Sequence, residues 1–143
     1  MRNRLLFVTV IISLLALVPA GLAGCGSKTD TTATGYENVT VAEASTLIKD
    51  NQNNPDFVIL DVRTPQEYAD GHIADAVNID LNSGSFDTEI AKQDMSKTYL
   101  VYCRTGARSA SASGIMIGLG FTHVKNMTGG ITDWTAAGYA TTK

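Results

Sequence analysis

Two stretches, "FVILDV" (57–62) and "TYLVYC" (98–103), constrain the fold more than anything else in the chain. Each is an almost continuous apolar run, the first rich in β-branched residues, and this is the pattern of a strand buried on both faces of a parallel sheet. Parallel neighbours need long crossovers, normally helical, and helix signals duly alternate with the strands. Thr40-x-x-Glu43 and Thr64-Pro65-Gln66-Glu67 are capping boxes, in which each side chain satisfies an orphan donor of the other residue. The second has proline at the first helical position, and Gly71 suits its close. Val41, Ala44 and Ile48 share one face of the first helix; Ala112, Ile115, Met116 and Leu119 recur at helical spacing in a later one, which Gly120 ends. Shorter strands are expected at "YENV" (36–39), "AVNI" (76–79) and "HVKNM" (123–127), with short helices in "SFDTEIAKQD" and over Ile131–Ala137. The repeated unit predicts an α/β fold: a mostly parallel central sheet, flanked by helices on both faces through right-handed crossovers. Ligands in such folds bind where strands end and helices begin. Cys103 stands at one of those junctions.

A chain of 143 residues, 44% hydrophobic and 17% charged, is enough for one globular domain. The net charge of −3, with no basic stripe beyond the extreme N-terminus, argues against nucleic acid as a partner. At that N-terminus Arg2 and Arg4 precede a 14-residue apolar run, Leu5 to Val18. This is short of the roughly 20 residues that span a bilayer and reads as an export signal. "LAGC" (22–25) resembles the lipobox of bacterial lipoproteins, which implies cleavage before Cys25 and lipid attachment to its thiol. The expected organisation is a cleaved signal peptide at 1–24, a lipidated cysteine and flexible tether at 25–35, and a globular domain at 36–143. The expected location is extracytoplasmic, anchored to a bacterial membrane by lipid.

The chain has only two cysteines, and lipidation of Cys25 would leave Cys103 without a partner. An unpaired cysteine in an oxidising space points to a reactive thiol, against the alternative of a small buried hydrophobe. "CRTGAR" (103–108) follows the strand directly. Successive amides from Arg104 through Thr105, Gly106 and Ala107 to Arg108 could form a concave anion site, backed by the first turn of the next helix. That positive end and two guanidinium groups would favour thiolate. Surface arginines around a simple turn are the other reading of the same six residues.

Three landmarks in order reach further: "ILDVRTPQEYADGHIADAVNI" (59–79), "LVYCRTGARSASASGIMIGLGF" (100–121) and "VKNMTGGITDWTAAGY" (124–139). Across Tyr36–Tyr139 the sequence resembles single-domain rhodaneses, sulfurtransferases that carry sulfur as a cysteine persulfide. The resemblance implies Cys103 as sulfur acceptor, loop amides of Arg104 to Arg108 around the persulfide, and Arg104 and Arg108 on the anionic part of a donor such as thiosulfate. A thiol, a protein or, in an assay, cyanide would be the acceptor. Thr105 stands where some thiosulfate-preferring members carry lysine, and Ala74-Asp75 stands where Pro-Gly is frequent. Related phosphatases and arsenate reductases have one more residue in the loop, so six residues favour sulfur over phosphate. A persulfide carrier that hands sulfur to a docked partner is the non-enzymatic alternative.

The resemblance implies that Asp61 and Arg63 support the active-site region, and Arg63 is within reach of Glu67. His72 invites a general-base reading, beside the simpler one of a packed histidine with one backbone hydrogen bond. Trp134 reads as a core or rim aromatic. His123 is isolated, and two histidines with one available cysteine make no zinc set. Neither a metal nor a cofactor is expected, and the domain is expected to be a monomer.

Overall fold

The computed structural model describes residues 35–143. The expected signal peptide, Cys25 and the tether up to residue 34 lie outside the described residues. Strand and helix alternate without exception: β1 (Glu37–Val39), α1 (Val41–Asp50), β2 (Phe57–Asp61), α2 (Pro65–Asp70), β3 (Val77–Asn78), α3 (Phe86–Ile90), β4 (Thr98–Tyr102), α4 (Ala107–Gly118), β5 (His123–Met127) and α5 (Gly130–Ala136). The five strands form one sheet in the order β1-β5-β4-β2-β3, and every neighbouring pair is parallel. The two apolar runs lie side by side within it, in register from Phe57↔Thr98 to Asp61↔Tyr102. The edges are β1 and β3, three and two residues long, too short to template further pairing.

The period-2 alternation of the strands divides the core into two layers. On one face Leu60, Val62, Tyr99, Val101, Cys103 and Val124 pack with Phe86 and Ile90 of α3 and Ala112 and Met116 of α4. On the other, Ile59, Leu100, Tyr102 and Met127 meet Ala44 of α1 and Ile131 and Trp134 of α5. Each large side chain so buried contributes about 1.5–3 kcal/mol. Both capping boxes form as expected: Glu43 N and Glu67 N donate to the hydroxyls of Thr40 and Thr64, and the two glutamates accept in return from the threonine amides. The amide of Gly71 closes α2 on the carbonyl of Tyr68. The last helix starts one residue earlier than expected, at Gly130, after Gly129 in the left-handed region.

The strand order fixes where the carboxyl ends open. From β2 the chain moves outward to β3, whereas from β4 it moves the opposite way, to β5. Because β2 and β4 are neighbours, the loops that follow them diverge and leave a crevice at this switch point. The two elements that begin there are α2 and α4, which pack on opposite faces of the sheet. Cys103 is the first residue past β4.

Candidate functional site

Cys103 continues the alternation of β4 and turns to the α4 side, where it is only 1% exposed. The chain then bends through Gly106 (φ +101), the N-cap of α4. This bend directs the Gly106 amide back at the cysteine, and Gly106 N–H donates to Sγ at 3.1 Å. The carbonyls of Cys103 and Arg104 face away, accepting from the amides of Ile131 (2.9 Å) and Thr132 (3.1 Å) at the start of α5. The amides of Arg104, Thr105, Ala107 and Arg108 meet no carbonyl acceptor among the described residues. Outward carbonyls and amides free of carbonyl partners at the start of a 12-residue helix make a site for negative charge.

Burial pushes the Cys103 thiol up, but the donors around it win. The Ser109 hydroxyl and the amides of Ser109, Gly106 and Thr105 together bring it below the ordinary thiol value. Ser109 is fully buried, and its hydroxyl also reaches the Gly106 carbonyl at 3.0 Å. Its single proton can serve either the loop backbone or the sulfur. Sequence reasoning missed this residue, since it sits in the small-residue run "RSASASG" and reads as helix filler. The i, i+3 spacing from Gly106 was the available signal.

Gly129-Gly130 is the other part to which the sequence reading gave no role at the site. It follows β5 beside the loop and lets α5 approach at backbone distance. A Cβ on Gly130 (φ +58) would stand 2.5 Å from the Cys103 carbonyl oxygen and 2.6 Å from Arg104 C and O. A Cβ on Gly106 would meet Gly129 N at 3.2 Å. Glycine at these positions is what allows one backbone to buttress the other.

The two loop arginines differ in their engagement. Arg104 is exposed and makes no ion pair among the described residues. Arg108 is held across the crevice by Glu67: Nη1 donates to Oε2 and Nη2 to Oε1, both at 2.7 Å. The same carboxylate accepts from Thr64 N and Oγ1 as part of its capping box. The hydrogen bonds from Arg108, together with the Thr64 donors, hold the Glu67 carboxyl at about 2.

The pair of Arg63 with Glu67 that spacing allows is therefore not the one that forms. Arg63 turns back to Asp61, with Nε at 2.9 and 3.0 Å from its two oxygens and Nη2 at 2.5 Å, and caps the Gly71 carbonyl at 2.8 Å. Local geometry explains the choice: Asp61 ends β2 fully buried and needs a cation, while Glu67 at the third position of α2 points toward α4. Asp61 and Arg63 lie on the Tyr102 face, with the guanidinium 5.6 Å from the Tyr102 ring centre, and fasten the end of β2 to α2. His72 is the packed histidine: it stacks on Tyr68 at 3.7 Å, its Nδ1 lies 2.9 Å from the Tyr68 carbonyl, and its backbone bridges Thr142. Trp134 is buried, donating from Nε1 to the Ala140 carbonyl, and His123 is exposed at the start of β5. A cleft of about 670 Å³ lies between α1 and α5, lined by Ile48, Ile73, Trp134 and Tyr139 among others, and includes none of residues 103–108. The amides around Cys103, rather than that cleft, mark the site.

The profile of the rhodanese-like domain matches residues 40–137. Thiosulfate sulfurtransferase GlpE of Coxiella burnetii is 34% identical over 101 residues, covering 71% of this chain and 89% of the relative. Thiosulfate sulfurtransferase PspE of Escherichia coli is 38% identical over 74 residues, 52% of this chain and 70% of the relative. A mitochondrial relative from Schizosaccharomyces pombe matches over 88 residues, and the chain spans 62% of its length. Among solved structures, a rhodanese-related protein from Thermoplasma volcanium has a TM-score of 0.64 at 31% identity, covering 75% of this chain and 98% of that one. The layered parallel sheet, the loop at its switch point and these similarities agree: the chain belongs to the rhodanese-like family.

Proposed function

We propose that the domain is a sulfurtransferase that moves sulfane sulfur through a persulfide on Cys103. The observation that carries this reading is the sulfur itself, seated at a strand end and receiving the amides of Gly106, Thr105 and Ser109. The Cys103 thiolate attacks the outer sulfur of a thiosulfate-type donor; the sulfur–sulfur bond of the donor breaks, its electron pair leaves with sulfite, and Cys103 retains a persulfide anion. A thiol or cyanide then attacks the terminal sulfur and the thiolate returns. Charge stays on sulfur throughout, so a preorganised ring of amide dipoles stabilises the thiolate, the persulfide and the transition states between them. The covalent intermediate makes the kinetics ping-pong. Relatives named thiosulfate sulfurtransferases support the donor class.

The test is the intact mass of the purified chain after exposure to thiosulfate, with Cys103→Ser as control. One added sulfur atom, lost on adding cyanide and absent from the control, is the expected result. Absence of an adduct with thiosulfate, mercaptopyruvate and polysulfide would remove the reading. Loading followed by negligible turnover would identify a persulfide carrier instead.

The same proposal places the domain outside the cytoplasm, held to a membrane through lipid on Cys25. Its support is the sequence of the first 25 residues alone. A Cys25→Ala chain is expected to leave the membrane fraction, and continued partitioning there would refute the anchor.

A further inference from the structure

The charges around the loop carry a statement about which donors suit it. Of the two loop cations, Arg108 is neutralised by a two-pronged pair with Glu67, and Glu67 is itself fixed by Thr64. Asp80 places a second carboxylate in the field of Arg108. Residue 105 is threonine, and Arg104 is the loop cation without an ion pair among the described residues. The amides of Gly106, Thr105 and Ser109 supply dipoles for one anionic sulfur at Cys103. A doubly charged donor would therefore add two negative charges beside a thiolate with one uncommitted cation to meet them.

Resting on the sulfurtransferase reading, we infer that Glu67 is a specificity-determining residue that biases the loop toward sulfane-sulfur donors carrying a single negative charge. It does so by withholding the Arg108 charge from the donor and by repelling a second anionic oxygen. Thiosulfate and methanethiosulfonate isolate the effect, because they present the same sulfur–sulfonyl bond and differ by one oxyanion replaced with methyl. With the second donor, Cys103 takes the outer sulfur, the sulfur–sulfur bond breaks, and methanesulfinate leaves with the electron pair, so atoms and charge balance as they do with sulfite.

Under ping-pong kinetics kcat/KM for each donor reports the loading half-reaction alone, whichever acceptor is used. The native chain is expected to favour methanethiosulfonate. In Glu67→Gln, glutamine retains the capping-box function, and removing the charge that neutralises Arg108 is expected to raise the thiosulfate-to-methanethiosulfonate ratio about tenfold. Asp80→Asn takes away a charge without touching the Thr64 box and is expected to shift the ratio the same way by less. Both shifts should shrink as salt is raised. An unchanged ratio in both variants, or a parallel loss with both donors, makes Glu67 a strut and overturns the inference while leaving sulfur transfer intact. Failure of the native chain to load from either donor would instead remove the underlying reading.

Discussion

Glu67 and Arg108 meet through two hydrogen bonds of 2.7 Å across the crevice between β2 and β4, 41 residues apart in sequence. The pair ties the first turn of α2 to the first turn of α4, on opposite faces of the sheet. Both side chains remain about a quarter exposed, which limits what the pair contributes to stability.

That contribution has a definite pH window. The Glu67 carboxyl falls from 4.5 to about 2 on folding, chiefly through Arg108. A depressed carboxylate stabilises the fold fully above its unfolded value and loses that stabilisation as pH falls toward the folded one. Urea unfolding of the native chain and of Glu67→Gln should therefore differ by about 1 kcal/mol at neutral pH, after allowance for solvent screening. The difference should be flat down to about pH 5 and shrink between 4.5 and 2. A gap that persists unchanged at pH 2 would show that the charge is not its source.

Ser109 is one of the donors that lower the pKa of the Cys103 thiol. The hydroxyl and amide donors around Cys103 outweigh the effect of burial and lower its pKa from the ordinary 9.0. Thiolate absorbance in the ultraviolet, corrected with Cys103→Ser, should titrate below that value in the native chain. Ser109→Ala removes the hydroxyl donor, so the midpoint should rise and sulfur loading at pH 7 should slow in proportion to the lost thiolate. A midpoint unmoved by the substitution would assign the hydroxyl to the Gly106 carbonyl alone.

These two relationships divide what could be read in the sequence from what could not. The apolar runs at 57–62 and 98–103, both capping boxes and the cysteine–arginine loop are local signals, and the structure puts the runs in strands, the boxes at helix starts and the loop between β4 and α4. The partner of Glu67 is not local. Spacing alone offers Arg63, four residues away, whereas the pairing that forms depends on β2 lying beside β4. Likewise the weight of Gly129-Gly130 becomes visible only when β5 ends next to the loop. Ser109 falls between these cases, close in sequence but indistinguishable from the small residues around it.

Gly130 is the most sensitive point of the buttress. Alanine there would need a left-handed backbone and would bring its Cβ within 2.6 Å of the Cys103–Arg104 backbone. The strain and overpacking together should cost on the order of 2–4 kcal/mol. The loop must shift to relieve it, so sulfur loading should fall even at temperatures where the variant remains folded. Gly138→Ala is the control, with a left-handed backbone but open space around the new methyl. Equal losses in the two variants would mean that backbone conformation, not contact with the loop, decides the effect.

The turn before β3 should be open to improvement. Ala76 N donates to the Ile73 carbonyl at 3.1 Å, and Asp75 at the third position has φ +62, the arrangement of a type II turn. Such a turn favours proline second and glycine third, which is how Ala74-Asp75 departs from the Pro-Gly frequent in rhodaneses. Neither Asp75 nor Ala74 spends a group on the fold: the Ala74 amide donates to no carbonyl among the described residues, and both residues are exposed. Ala74→Pro combined with Asp75→Gly should relieve the left-handed strain and restrict the unfolded chain. The expected gain is about 1 kcal/mol, or roughly 4–6 °C in Tm, with sulfur loading unchanged. A lower Tm would mean that the Asp75 carboxylate, exposed as it is, stabilises the turn by more than its backbone strain costs.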